Sequence, residues 1–343
     1  ISDPSYAMIG GMVLAGGTLV GAILQWLIQV PALAKSGLGR LRLRFDLNNP
    51  GVRDVLKVLI PATFSSGTMQ INVITDLSFA TLIPATAAAL NFASLLVLAP
   101  LGIASNVVLV PFFPIFSRLA APSQWPELKQ RIRQSLVLIA LTMLPASALI
   151  VTLANSIVTV VYKRGAFQSE SVELVTVVLI AYAVGMFVYL ARDIMVRVFY
   201  ALGDGQTPFK ISLVNIGVNA ALDYVLFKLM GPAGLVFATI GVNVVSLLAM
   251  TFLLNRKLGG LPIAEWTRTL AVILGASFVS GVSCWLTQGG LASFMGTEGF
   301  VVNMIQLCVA GLMGIATFAL LTIVLGIPEA GLLAQRIRQK LGR

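Results

Sequence analysis

The chain runs to 343 residues, 58% hydrophobic and only 10% charged, with no histidine. A soluble domain carries about a quarter charged residues, so this much apolar surface calls for lipid as its solvent. Without histidine the commonest general base and transition-metal ligand are gone, which argues against a hydrolase or a metalloenzyme.

A spanning helix needs about 20 mostly apolar residues. Nine stretches meet that length: residues 7–30, 55–81, 86–115, 134–161, 172–200, 208–230, 232–254, 267–287 and 300–326. Gly and Pro interrupt several of them, which membrane helices accept when neighbours satisfy the freed backbone groups. The runs are too long for barrel strands and do not alternate, so the expected fold is an all-α polytopic membrane bundle. The opening "ISDPSYAMIGG" has neither an initiator Met nor a basic n-region, and reads as lacking upstream helices. Cys284 and Cys308 fall inside apolar runs and are expected as buried thiols.

The net charge of +10 suggests nucleic acid until the cations are placed. Lys35, Arg40, Arg42, Arg44, Arg53 and Lys57 follow the first stretch, whereas "LIPAT" after the second has none. Arg118, Lys129, Arg131 and Arg133 follow the third; Lys163 and Arg164 after the fourth are offset by Glu170 and Glu173. The fifth link holds Arg192, Arg197 and Lys210, the sixth only Lys228, and the seventh Arg256, Lys257 and Arg268. The eighth has none, and the tail "LLAQRIRQKLGR" is basic again. By the positive-inside rule this alternation puts the ends of odd-numbered helices in the cytoplasm, the amino terminus outside and the carboxyl terminus inside. The charge then lies beside anionic headgroups, and no nucleic-acid partner is expected. "RLRLRF" at residues 40–45 becomes a topogenic loop, and the tail from Pro328 to Arg343 an amphipathic helix on the inner leaflet.

An ionised side chain in the bilayer interior costs roughly 2.5–3.5 kcal/mol on insertion scales, so it needs a partner or a task. Asp76 and Asp223 lie deep in the second and sixth stretches. Asn219 is four residues from Asp223 and shares its helix face. Beyond the tight "MGPAG" turn, Thr239 and the Leu235 carbonyl reach the same depth on an antiparallel neighbour. If the second stretch packs here too, Asp76 completes an oxygen cage suited to a hard cation, sodium or a proton rather than zinc. The competing reading has these groups bonded to one another as glue between helices. Asp193 sits beside Arg192 and Arg197 and is expected to pair locally. "GDGQTP" lacks the strand–loop–helix setting of a phosphate loop and reads as a turn capped by Asp204 and ended by Pro208.

"YKRGAF" and, further on, "RVFYALGDGQTPFKIS" resemble the MurJ/MviN family of lipid II flippases, within the MOP exporter superfamily. So do "GGTLVGAILQWLIQVPAL" near the start and "PLGIASNVVLVPFFPIFSRLA" in the third stretch. The resemblance implies a fourteen-helix fold of two six-helix lobes around a central cavity, with two further helices forming a groove for the lipid tail. On that pattern residues 1–33 are the last helix of the first lobe and 34–54 a basic cytoplasmic loop. Residues 55–255 are then the second lobe, 256–326 the groove pair and 327–343 a basic tail.

The same resemblance implies a monomer in the bacterial cytoplasmic membrane, surrounded by lipid, that performs no covalent chemistry. It would flip an undecaprenyl-pyrophosphate-linked peptidoglycan precursor by alternating access, driven by a cation or by the membrane potential. Family members carry a sodium site on the helices that correspond to those of Asp76, Asn219, Asp223 and Thr239. One departure concerns the substrate. Where many members have "ADRL", this chain has "NFASLLVLAPLG", so Ser94 and Leu95 replace an Asp–Arg pair. Leu95 cannot bind pyrophosphate as Arg does. Ser94, with Arg53 and Arg197 on cytoplasmic helix ends, is left as a candidate for substrate contact. This departure keeps open an exporter of another lipid-linked saccharide and a degenerate, non-transporting scaffold. A cation-coupled drug antiporter is disfavoured, because it would lack the extra pair at 267–326.

Overall fold

A computed structural model describes residues 4–35, 52, 74–165, 167–296 and 299–326. They belong to two compact units, Ile1–Thr63 and Phe64–Arg343. In the first, Pro4–Lys35 forms one helix, α1, with Pro31 in its last turns. Arg53, most of the 55–81 stretch and the tail from 327 onward lie outside the described residues.

The second unit is a helical bundle. Residues 74–80 are helical (α2), followed by Thr86–Ala104 (α3), Val110–Arg118 (α4), Trp125–Tyr162 (α5) and Ser169–Ala201 (α6). Gln206–Met230 (α7), Pro232–Lys257 (α8), Ile263–Met295 (α9) and Phe300–Val324 (α10) complete it. Counting α3 and α4 as one span, and with α1, eight spans among the described residues are long and apolar enough to cross a membrane. The described residues contain no strand. The protein is a multi-pass, all-α membrane protein.

The third stretch is not the single helix expected over 86–115. Ser105–Leu109 form a π turn between α3 and α4. Pro111 and Pro114 follow it and cannot donate to the carbonyls one turn back, so the helix widens ahead of them rather than continuing regularly. Asn106 Nδ2 donates to the Gly102 carbonyl at 2.8 Å and so takes up one backbone acceptor. Helix α5 starts well before residue 134, because its first turns are amphipathic and lie outside the apolar window. Arg131 pairs there with Glu127 at 3.1 Å.

The core is organised around α6, whose most apolar 18 residues are half buried, the largest such share among the described spans. Its Val178, Leu179, Ala183, Met186, Ile194 and Phe199 are all inaccessible, packed between α3, α5 and α8. Helices α9 and α10 pair with each other and lean on α5. A side chain at Gly314 would collide with Leu149, so glycine permits that approach, and Ser280 Oγ donates to the Gly314 carbonyl at 2.7 Å. Their outward faces carry exposed Leu274, Phe278, Trp285, Leu312 and Ile323, surface that lipid covers in a membrane. Cys284 is buried as expected, but Cys308 is not: it lies on the outward face of α10.

Candidate functional site

The site begins with a tight hairpin. Gly231 has φ of 61°, a conformation that favours glycine, and Pro232 opens α8. At Gly234 a Cβ would overlap the Leu226 carbonyl, so α7 and α8 meet backbone to backbone. That approach brings Thr239 of α8 level with Asp223 of α7.

Asp223 and Asn219 are almost wholly inaccessible, at 0% and 2% exposure. Asn219 Nδ2 donates to Asp76 Oδ1 at 2.8 Å and to Asp223 Oδ2 at 2.7 Å, so one amide bridges two carboxylates from α2 and α7. Thr239 Oγ1 lies 3.2 Å from both Asp76 Oδ2 and the Leu235 carbonyl, and its single hydrogen serves one at a time. Asn243 Nδ2 donates to the Thr239 carbonyl at 2.7 Å. Asp223 Oδ1 is buried with no donor in reach, and the Asp76 and Asp223 carboxylates lie close enough to hydrogen-bond to each other when one of them carries a proton. The five residues singled out in the sequence therefore converge, from three helices.

Neutral donors orient two such carboxylates but do not cancel their charge, and in a low-dielectric interior uncancelled charge is costly. A monovalent cation or a shared proton halves it, and the two together cancel it. The donor set is all oxygen: the Asp76 carboxylate, Asp223 Oδ1, Thr239 Oγ1 and the Leu235 carbonyl. Together with the unpartnered Oδ1, it fits a hard cation. Among the described residues no group of three or more His, Cys, Asp or Glu gathers.

Asn215 and Asn243 were missed in the sequence, as were Tyr182, within electrostatic reach of Asp76, and Tyr189. The i, i+4 run Asn215–Asn219–Asp223 was the available signal, followed in the sequence only one turn back from the charged Asp223, to Asn219.

Of the three substrate candidates, Ser94 and Arg197 do not share a site. Ser94 Oγ bonds within its own helix, to the Asn91 carbonyl at 2.8 Å, near the bundle end where Phe92 packs on Tyr162 and Phe167. Arg197 lies in the last turns of α6, whose rise of about 1.5 Å per residue puts it roughly 40 Å further along. Arg53 is outside the described residues. Asp193 pairs with Arg192 at 3.5 Å, as expected. Asp204 caps the start of α7, but Pro208 lies inside the first turn of that helix instead of preceding it. A proline there loses only an N–H that has no partner within the helix.

The family model for the lipid II flippase MurJ matches residues 2–310. The chain belongs to the MurJ family. A probable lipid II flippase MurJ of Synechocystis sp. is 47% identical over 343 residues, covering 100% of this chain and 64% of the relative. The lipid II flippase MurJ of Burkholderia cenocepacia is 30% identical over 284 residues, covering 79% of this chain and 54% of the relative. The chain thus spans less than two thirds of the length of these MurJ relatives. A solved structure titled "Lipid II flippase MurJ, inward closed conformation" superposes with a TM-score of 0.71 at 20% identity, over 95% of this chain and 62% of that one. The MurJ fold is shared.

Proposed function

We propose that this chain is the second-lobe part of a flippase that carries lipid II, an undecaprenyl-pyrophosphate-linked peptidoglycan precursor, to the outer leaflet of the bacterial cytoplasmic membrane. Membership of the MurJ family supports the substrate, and the Asp76–Asn219–Asp223 bridge, buried at its α7 end and half-buried at Asp76, is the observation that carries the mechanism. The lobes rock about a central cavity as a monomer, with the carboxyl terminus in the cytoplasm, where the alternation of basic links places it.

Asp76, Asp223, Thr239 and the Leu235 carbonyl hold sodium or a proton in this reading, and the ion supplies the positive charge that lets two carboxylates share one buried site. Asp76 comes from α2, while the other groups come from the α7–α8 hairpin. The ion's charge offsets the repulsion between the carboxylates and draws α2 onto the hairpin, and its loss leaves two like charges that push them apart. The membrane potential supplies about 2.3 kcal/mol per charge per 100 mV to bias that step.

A second reading, export of another lipid-linked saccharide, keeps one observation in its favour: Leu95 is exposed and apolar where a pyrophosphate contact wants a cation. Complementation of a flippase-depleted bacterium by the full-length gene separates the two. Rescue of growth and shape supports lipid II. Failure despite normal membrane insertion overturns it.

A further inference from the structure

The acid pair stands at one end of a longer polar file. On α7, Ser212, Asn215, Asn219 and Asp223 follow one another at spacings of three or four and share a face. On α8, Thr239, Asn243 and Ser246 do the same. Contacts between helices set the levels. Gly185 of α6 packs against Ile240 of α8, and Gly241 of α8 against Leu222 of α7. Arg192 of α6 donates from Nη2 to Ser212 Oγ at 3.4 Å. Asp223 is therefore level with Thr239, Asn219 with Asn243, Asn215 with Ser246 and Tyr189, and Ser212 with Arg192. The file leads to the membrane face where Lys257 Nζ meets Asp204 Oδ2 at 2.7 Å.

Along it Tyr189 Oη, Ser246 Oγ and Arg192 Nε are buried without a protein partner, as Asp223 Oδ1 is. Each such atom costs about 1–3 kcal/mol if nothing satisfies it. Packing alone gives no reason to keep four of them along one track, whereas a hydrated track does.

In the other direction the lining turns apolar. Beyond Asp223 come Leu226, Phe227 and Met230 of α7, against buried Ala233, Leu235 and Val236 of α8. Phe79 of α2 packs on Phe227 with ring centroids 6.1 Å apart. At Gly234 the two helix backbones touch, leaving no room between them.

We propose that the acid pair exchanges its ion through this polar file with the face bearing Asp204 and Lys257, and that Phe79, Phe227 and Leu235 seal it from the opposite face in this conformation. The inference rests on the cation reading above and gives that site a side, the cytoplasmic one in the proposed orientation. Transport then requires the apolar seal to part in the alternate state.

The test uses the full-length protein in sealed vesicles of known orientation, with Cys284, Cys308 and any cysteine in the rest of the full-length protein replaced by alanine. Ser246→Cys, Asn215→Cys and Leu235→Cys are each exposed from one side to silver ion, a small thiol-reactive cation, in chloride-free buffer. Ser246→Cys and Asn215→Cys should react from the Asp204 face alone, and Leu235→Cys from neither. Reaction of Leu235→Cys from the opposite face as fast as that of Ser246→Cys from its own overturns the seal. No reaction at Ser246→Cys and Asn215→Cys overturns the file. Sodium-dependent thermal stabilisation of the same proteins reads the acid pair separately. If it persists while both file positions stay unreactive, the site stands and the route falls. If it is missing even in the cysteine-free parent, the cation reading falls while labelling still decides whether the file opens to one face.

Discussion

Asp223 is the side chain on which residue-scale predictions concentrate, since its Oδ1 is buried and unpartnered while Oδ2 accepts from Asn219. Sodium should raise the thermal unfolding midpoint of the parent, with stabilisation reaching about 2.7 kcal/mol at a hundredfold excess over Kd. Asp223→Asn and Asp76→Asn should abolish that response. In sodium-free buffer Asp223→Asn should unfold no earlier than the parent, because it removes a buried charge while keeping shape and hydrogen bonding. If both variants respond to sodium as the parent does, the site is misassigned. Asp204 carries a different prediction. Burial works against its charged form, but hydrogen bonds from Lys257 Nζ, at 2.7 Å, and from the Thr207 N–H and hydroxyl outweigh it and hold the carboxyl below its usual range. A depressed carboxyl contributes stability above its unfolded pKa and loses it as pH falls through the folded one. Asp204→Asn should therefore cost about 1 kcal/mol near neutral pH, modest because the Lys257 partner is a third exposed. It should also flatten the loss of stability below pH 4 in acid unfolding curves.

At the scale of elements, close approach between helices is the feature that substitution probes best. Gly234→Ala places a methyl against the Leu226 carbonyl and must part α7 from α8, which should cost about 1–3 kcal/mol in thermal unfolding. The same change should weaken the sodium response, since Thr239 would move away from Asp76. Gly217→Ala is the control: its added methyl meets nothing, and in a helix interior it should be neutral or stabilise by up to about 1 kcal/mol. Helix positions were legible because hydrophobic length is a one-dimensional signal. The π turn at Ser105–Leu109 was not, because prolines announce that a hydrogen bond is missing without saying how the backbone absorbs the loss. Cys308 shows a related blind spot. An apolar run looks the same whether a given face meets protein or lipid, so burial cannot be read from hydropathy in a membrane helix.

Across the whole molecule, the basic links and the apolar spans answer to the membrane. The ends carrying Arg118, Arg131, Arg133, Arg256 and Lys257 lie at one end of the bundle and those of Lys163, Arg164 and Lys228 at the other. That segregation is a property of order along the chain and needs no coordinates. The same holds for the all-α class, since twenty apolar residues in hydrocarbon must satisfy their own backbone groups and a helix does so locally. The convergence of Asp76 with Asn219 and Asp223 is different. Their separation in sequence is bridged only when α2 packs on the α7–α8 hairpin, which glycine at 234 permits. Ser94 and Arg197 mark the opposite case, two residues plausible as partners by type and held far apart by helix length. Composition, period and charge order thus determined the solvent, the helices and their alternation, because each is set by neighbours along the chain. Which polar groups meet, and which membrane face they lead to, was decided by tertiary packing, because those contacts depend on helix faces and depths that no local pattern encodes.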